Sequence, residues 1–280
     1  MITPEEIFEM RCGIRLTRPL IHCITNPVSI NDCANAVLAL GAKPIMAEYE
    51  GEMPEITSAA KALSLNLGGI SEAKMDAMEA AAETANKHDI PFVIDLVGVG
   101  CSSVRREFAK EIIKKYSPSV IKGNQSEIFA ICGLEHHAKG IDSEDSTDIK
   151  AAAEVVSEAA GRFKTVALIS GKTDLISDSK RTIAVENGSE LMPYVTGMGC
   201  VLGVLTGSFL SVTESSLSVR DPFDSAVSAA VTLGLAGEFA AEEYKKTGSL
   251  SRFHGGIIDG LFAMDKKFYT TNSRYHDYET

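Results

Sequence analysis

The chain has 280 residues, 45% hydrophobic and 23% charged, the composition of an ordinary globular protein long enough to bury its own core. Acidic residues outnumber basic ones 38 to 27, for a formal charge of −11, which disfavours binding to nucleic acid or an anionic membrane through charge alone. None of the six cysteines stands in a C-x-x-C pair, the opening residues lack a secretory apolar core and no apolar run is long enough to span a bilayer, so a reducing cytoplasm with free thiols is expected rather than a zinc module or an exported chain.

Short apolar runs alternate with longer helical patterns. Residues 20–25 (LIHCIT) read as a strand. Residues 31–40 (NDCANAVLAL) read as a helix, with Ser29 or Asn31 as its cap and Gly41 as its stop. A short strand at 43–47, a helix at 53–62 and a strand at 63–67 follow, the last ending at Gly68-Gly69. Residues 71–88 form a long helix, and the strand at 91–96 runs into Val97-Gly98-Val99-Gly100. Next come a helix at 105–116, a strand at 119–122 and a helix at 125–132 stopped by Gly133. A polar loop at 135–146 precedes a helix at 148–160 and a strand at 165–170. The runs 174–178 and 181–186 flank Ser179-Lys180 as a hairpin. Beyond Cys200 the pattern is helical, over 201–210, 222–244 and 250–268, and the polar tail from about Tyr269 is expected to fray.

This alternation predicts an α/β fold, with a mostly parallel central sheet and helices on both faces, in a single domain over 1–280. Ligands of such sheets bind beyond the carboxyl ends of the strands. That rule singles out Asn26, Met46, Gly68-Gly69, residues 95–100, residues 122–127 and residues 170–172.

Four stretches carry candidate chemistry. Val195-Thr196-Gly197-Met198-Gly199-Cys200 opens the apolar helix VLGVLTGSFL. Two glycines let a ligand approach the backbone, and the helix start offers N–H groups and a positive dipole end to a phosphoryl group. A helix start also favours a cysteine's thiolate form, which would suit Cys200 to a reactive role. The same pattern equally describes a glycine turn into a buried helix with a small core cysteine. In Lys122-Gly123-Asn124-Gln125-Ser126-Glu127 the spacing puts Asn124 and Glu127 on one face of a helix start. Glu127 there can serve Mg²⁺, directly or through water, or can close a capping box with Asn124. Asp95, at the end of a buried strand, serves either near Mg²⁺ or as an acceptor for the turn that follows. Asn26 can read a heterocycle nitrogen, or it simply starts an Asn-Pro turn, and His22, alternating with apolar neighbours, reads as a core histidine. No G-x-x-x-x-G-K-[ST] and no protein-kinase signature occurs.

Taken in order, ITNPVSINDCANAVLALGAKPIMAEYEGE, LSLNLGG, PFVIDLVGVG, VIKGNQSEI and VTGMGC resemble the hydroxyethylthiazole kinases of thiamine salvage, members of the ribokinase-like superfamily. The likeness runs from about Pro19 to about Phe268. It implies phosphorylation of 4-methyl-5-(2-hydroxyethyl)thiazole by Mg-ATP, in a homotrimer with active sites between subunits. By the same resemblance Cys200 matches the catalytic cysteine, which stands where most of the superfamily has an aspartate base. Met46 and Gly197 match substrate-contacting positions, Lys122 and Ser170 nucleotide-contacting positions, and Asp95 and Glu127 acids around the magnesium and phosphates. Asn26 falls in the segment facing the thiazole. Met198 replaces the family's threonine in G-T-G-C, Leu96 its proline before V-G-V-G, Lys122 its arginine and Ser170 its threonine. A same-fold kinase for another small alcohol, an ADP-dependent hydrate dehydratase, and a non-catalytic nucleotide-binding regulator are the alternatives. The dehydratases carry aspartate at the Cys200 position.

Overall fold

A computed structural model describes residues 1–134, 146–212 and 221–278. Except for its last residue, the loop expected at 135–146 lies outside the described residues.

Among the described residues nine strands form one sheet in the order β2-β1-β3-β4-β5-β6-β7-β8-β9. The parallel part consists of β1 (Leu20–Ile24), β2 (Lys43–Ile45), β3 (Ala62–Asn66), β4 (Phe92–Asp95), β5 (Val120–Asn124) and β6 (Val166–Ser170). The antiparallel strands β7 (Asp174–Ser177), β8 (Thr182–Val185) and β9 (Tyr275–Asp277) complete it. Side chains alternate along each strand, so each face has its own core. Ile21, Val93, Val120 and Leu168 join one apolar cluster, and Leu63, Ile94, Ile121 and Ile169 the other.

The first face is covered by α1 (Pro4–Thr17), α2 (Ile30–Leu40), α8 (Met198–Leu210), α9 (Pro222–Thr247), α10 (Leu250–Ala263) and α11 (Lys266–Asn272). The second is covered by α3 (Met53–Ala59), α4 (Glu72–Lys87), α5 (Ser103–Tyr116), α6 (Gln125–Ile131) and α7 (Ser146–Phe163). None of the described helices is long and apolar enough to cross a membrane.

α8 is buried on nearly every side, which suits its unbroken apolar sequence. Gly199, Gly203 and Gly207 recur every fourth residue and so share one face of it. A Cβ on each would lie 3.1 Å from Lys122 Nζ, 3.5 Å from Asp95 Oδ2 and 3.4 Å from Ser64 Cβ. The missing side chains let the helix backbone lie close on β3, β4 and β5.

Several expectations need correction. The opening residues, given no element by their pattern, form α1. Its start is a capping box, in which Thr3 Oγ1 accepts from Glu6 N and Glu6 Oε2 accepts from Thr3 N. The helix expected over 250–268 is two helices, because Asp265 accepts from Phe268 N at 2.8 Å and caps a new start. As far as Tyr278 the tail is tied down rather than frayed: β9 pairs with β8, and Tyr278 N donates to Thr182 O at 2.8 Å. The helix expected from Val201 begins three residues earlier, at Met198, with Gly197 as its cap.

Candidate active site

The topological switch point of the sheet lies between β1 and β3, since the chain leaves β1 for β2 on one side and returns to β3 on the other. A cleft is expected there at the carboxyl ends of the strands. Strand register fills it with polar side chains. Asn66 pairs with Asp95 across β3 and β4, and Asp95 with Lys122 across β4 and β5. The three residues therefore stand in one row, on the face covered by α8.

Lys122 Nζ donates to Asp95 Oδ1 at 2.9 Å, with 3% and 1% of the two side chains exposed. Burial raises the Asp95 carboxyl to about 6, against the pull of the Lys122 charge. Desolvation alone would lower the Lys122 ammonium, but the charges of Asp95 and Glu127 outweigh it and hold the ammonium above its ordinary value. A Cβ on Gly199 would sit 3.1 Å from this ammonium, so the cation projects at the first turn of α8.

That turn has the form expected of an anion site. Gly197 has φ +87°, and a Cβ on it would fall 2.8 Å from Ser29 Cβ. The first intrahelical bond is Val201 N to Gly197 O, at 2.9 Å. The N–H groups of Met198, Gly199 and Cys200 precede it and have no acceptor within the helix. Met198, which its position in the loop would have placed at the phosphates, is instead 9% exposed and packs into the first core. Its side chain leaves the turn clear.

Cys200 is half-buried on the first turn of α8, and Asn26 Nδ2 donates to its Sγ at 3.1 Å. Asn26 is itself buried, just past β1. Glu127 closes a capping box with Asn124 and reaches further: Oε2 accepts from Asn124 N and Oε1 from Gly98 N, each at 2.8 Å. Glu127 thereby holds the Val97–Gly100 turn over the site. Leu96, in the place of the family's proline, donates its N–H to Lys122 O at 2.8 Å. Proline could not make that bond, so leucine here extends the pairing of β4 with β5. Ser170 ends β6, and its Oγ donates to Gly123 O at 3.4 Å. Met46 lies half-buried just past β2, against the first core.

The structure thus brings Asn26, Cys200, Gly197, Asp95 and Lys122 together, with Glu127 behind them. Ser170 flanks them one strand beyond β5, and Met46 flanks them at the opposite edge. His22 is fully buried and has both ring nitrogens engaged, Nδ1 with Thr57 Oγ1 at 2.9 Å and Nε2 with Ala47 O at 3.1 Å. Two site residues were not read from the sequence. Asn66 alternates with Ser64 inside β3, and two polar residues on one face of a buried strand were the available signal. Lys74, in the first turn of α4, is buried with Nζ on Thr25 O and Gly68 O, a contact that no local pattern announces.

A model of the hydroxyethylthiazole kinase family matches residues 12–267. A curated protein of Clostridium botulinum, hydroxyethylthiazole kinase 2, is 41% identical over 277 residues, covering 96% of this chain and 100% of its own. The chain belongs to the hydroxyethylthiazole kinase family. Its members reach well beyond that organism, for the hydroxyethylthiazole kinase of Methanobrevibacter smithii is 38% identical, with 93% of each chain covered. A solved hydroxyethylthiazole kinase of Pyrococcus horikoshii superposes with a TM-score of 0.86 at 35% identity, over 98% of this chain and 99% of that one. Pyridoxal kinase of Staphylococcus aureus shares the fold at a TM-score of 0.56 and 17% identity, over 78% of this chain and 86% of its own. The fold is accordingly ribokinase-like, and the chain is a kinase.

The carboxylates around the site suit a magnesium ion held through its waters. Every oxygen of Asp95 and Glu127 already accepts one protein hydrogen, from Lys122, Asn66, Gly98 or Asn124. Each keeps a second lone pair that could accept from a metal-bound water. Among the described residues no group of three or more His, Cys, Asp and Glu could cage an ion. Mg²⁺ in general keeps several waters and takes its remaining ligands from substrate phosphates.

Proposed function

We propose that this chain phosphorylates the hydroxyl of 4-methyl-5-(2-hydroxyethyl)thiazole with ATP, in thiamine salvage, as one cytoplasmic domain. One observation carries the reading: the turn Gly197–Cys200 presents free helical N–H groups and a cysteine sulfur beside the buried Lys122 ammonium.

The alcohol docks between Asn26 and Met46, under Gly197, with its hydroxyl at Cys200 Sγ. Its oxygen attacks the γ-phosphorus in line. The new oxygen–phosphorus bond forms as the bond from γ-phosphorus to the bridging oxygen breaks, and ADP leaves with that electron pair. Cys200, entering the step as its thiolate, orients the hydroxyl and accepts its proton on sulfur to become the thiol. The N–H groups of Met198, Gly199 and Cys200 hold the developing charge, and Lys122 and Ser170 hold the nucleotide. Asp95 and Glu127 would hold the hydrated Mg²⁺, whose part is to neutralise the β- and γ-oxygens.

The homotrimer, with active sites between subunits, belongs to the same reading. Exposed Val28, Tyr49 and Tyr194 follow β1, follow β2 and precede α8, and they offer apolar surface at the site's own end of the sheet. Light scattering of wild type and Val28→Glu tests it: wild type at three times the chain mass supports the trimer, and a monomer contradicts it.

Activity is tested by coupling ADP release to an optical readout, with hydroxyethylthiazole and pyrimidine alcohols as acceptors, for wild type and Cys200→Ala. Turnover with the thiazole, lost in Cys200→Ala, is expected. ATP binding with no turnover of any alcohol would sink the reading. Cys200→Asp is expected to keep measurable activity, because a carboxylate can take the same proton. If Cys200→Asp and Cys200→Ser both match wild type, sulfur is not the base.

A further inference from the structure

Two amides run between the Cys200 sulfur and the Asp95–Lys122 pair, and the mechanism above assigns no task to the second of them, Asn66. Backbone N–H groups only donate, so each fixes which end of a neighbouring amide faces it. Val28 N and Ser29 N donate to Asn26 Oδ1, at 3.1 and 3.2 Å. That turns Asn26 Nδ2 inward, where one hydrogen goes to Asn66 Oδ1 and the other to Cys200 Sγ, both at 3.1 Å. Gly68 N donates to Asn66 Oδ1 at 2.9 Å, which turns Asn66 Nδ2 onto Asp95 Oδ2 at 2.8 Å. Neither amide can flip without facing N–H to N–H.

The place where the two amides meet is kept bare. A Cβ on Gly68 would fall 2.8 Å from Asn66 Oδ1 and 2.9 Å from Asn26 Nδ2. Lys74 Nζ ties together the segments that carry them, through Thr25 O and Gly68 O. The sulfur thus receives a hydrogen bond of fixed direction. Its lone pair there is engaged, and its remaining lone pairs, or its proton, face away from Asn26.

We propose that Asn66 is a positioning residue for the phosphoryl transfer. It touches neither sulfur nor phosphate, but it accepts one Asn26 Nδ2 hydrogen and so aims the other at Cys200. Through Asp95 it ties that amide to Lys122, so the two sides of the site, acceptor hydroxyl and phosphate, share one rigid frame. The inference rests on reading Cys200 as the residue at the substrate hydroxyl. Losing Asn66 leaves one Asn26 Nδ2 hydrogen without its acceptor, so the amide, still held at Oδ1 by the Val28 and Ser29 N–H groups, is no longer aimed at the sulfur by a partner on its inner side.

The test uses the full chain with the two exposed cysteines removed, Cys12→Ser and Cys101→Ser, and follows carbamidomethylation of the Cys200 peptide by iodoacetamide with mass spectrometry. No ATP or alcohol is needed, so a failed kinase assay leaves this result readable by itself. Asn26→Ala and Asn66→Ala should each slow Cys200 alkylation about tenfold. The double variant Asn26→Ala/Asn66→Ala should be no slower than Asn26→Ala alone, within roughly twofold, because Asn66 reaches the sulfur only by way of Asn26. In steady-state kinetics Asn66→Ala should lower kcat while leaving the KM for ATP unchanged. If Asn66→Ala does not fold, Asn66→Ser takes its place in the same comparison. Unchanged alkylation in a folded Asn66 variant, or a double variant slowed by the product of the single effects, overturns the proposal.

Discussion

Replacing Lys122 by methionine keeps the length of the side chain and deletes its charge. Asp95 would then be a buried carboxylate without its cation, although Asn66 Nδ2 still donates to Oδ2 at 2.8 Å. Breaking a buried pair on one side costs about 3–5 kcal/mol, because the remaining charge cannot be solvated. For a chain of this size the melting temperature should fall by roughly 10 °C. The sign with pH follows from Asp95. Its carboxyl is already raised to about 6 with Lys122 present, and removing the cation raises it further. An acid whose pKa is raised on folding stabilises the fold when protonated, and that stability is lost as pH rises. The deficit of Lys122→Met should therefore be large at about pH 7.5 and shrink towards about pH 5. Asp95→Asn/Lys122→Met removes both charges and should recover most of the loss. Urea denaturation at both pH values measures all of this. A single variant within about 0.5 kcal/mol of wild type, or a double variant less stable than Lys122→Met, would refute the reasoning.

Gly197→Val should abolish phosphoryl transfer in a chain that still folds, as its φ of +87° and its contact with Ser29 leave no room for a branched side chain; a variant with normal turnover removes the anion site. His22, kept below its ordinary pKa by burial, should make the fold lose stability as pH drops below ~6.5. His22→Asn should flatten that limb of the melting curve against pH, and an unchanged slope would assign the loss to other groups. Deleting the residues after Asn272 uncovers β8, whose Val185 and Ile183 pair with β9. The shortened chain should aggregate more readily on warming, as followed by turbidity; equal solubility would mean the edge is protected otherwise.

The sheet and most of its helices were legible because hydrophobic period and glycine punctuation coincide in this chain. The strand-end rule singled out Asp95, Lys122 and Asn26, and the structure sets Asp95 at the end of β4, Asn26 just past β1 and Lys122 two residues before the end of β5. Asn66 escaped notice because the leucines of LSLNL dominate the run and hide its alternation with Ser64, and its role depends on register with Asp95 in β4, a strand distant in sequence. Lys74 escaped for a similar reason: a lysine in a first turn looks solvated until β1 and β3 bring Thr25 O and Gly68 O to it. α1 was legible and overlooked, its capping box standing in Thr3-Pro4-Glu5-Glu6. The break between α10 and α11 carries only one aspartate as a signal, and helical periodicity runs across it.

The bare stripe along α8 makes alignment of the site a property of the whole rod. Gly207 lies two turns from Gly199, roughly 12 Å along the axis, yet both set how low the same rigid body rides. A methyl group at Gly207 would just touch Ser64, Val93 and Ile21, at 3.4, 3.7 and 3.8 Å, so a longer, branched side chain there would meet the strands, tilt the rod and shift the Gly197–Cys200 amides relative to the Lys122 ammonium. Turnover should then suffer from a change that never meets nucleotide or alcohol, so mutational sensitivity along this rod tracks its underside, whatever the distance to the reacting atoms.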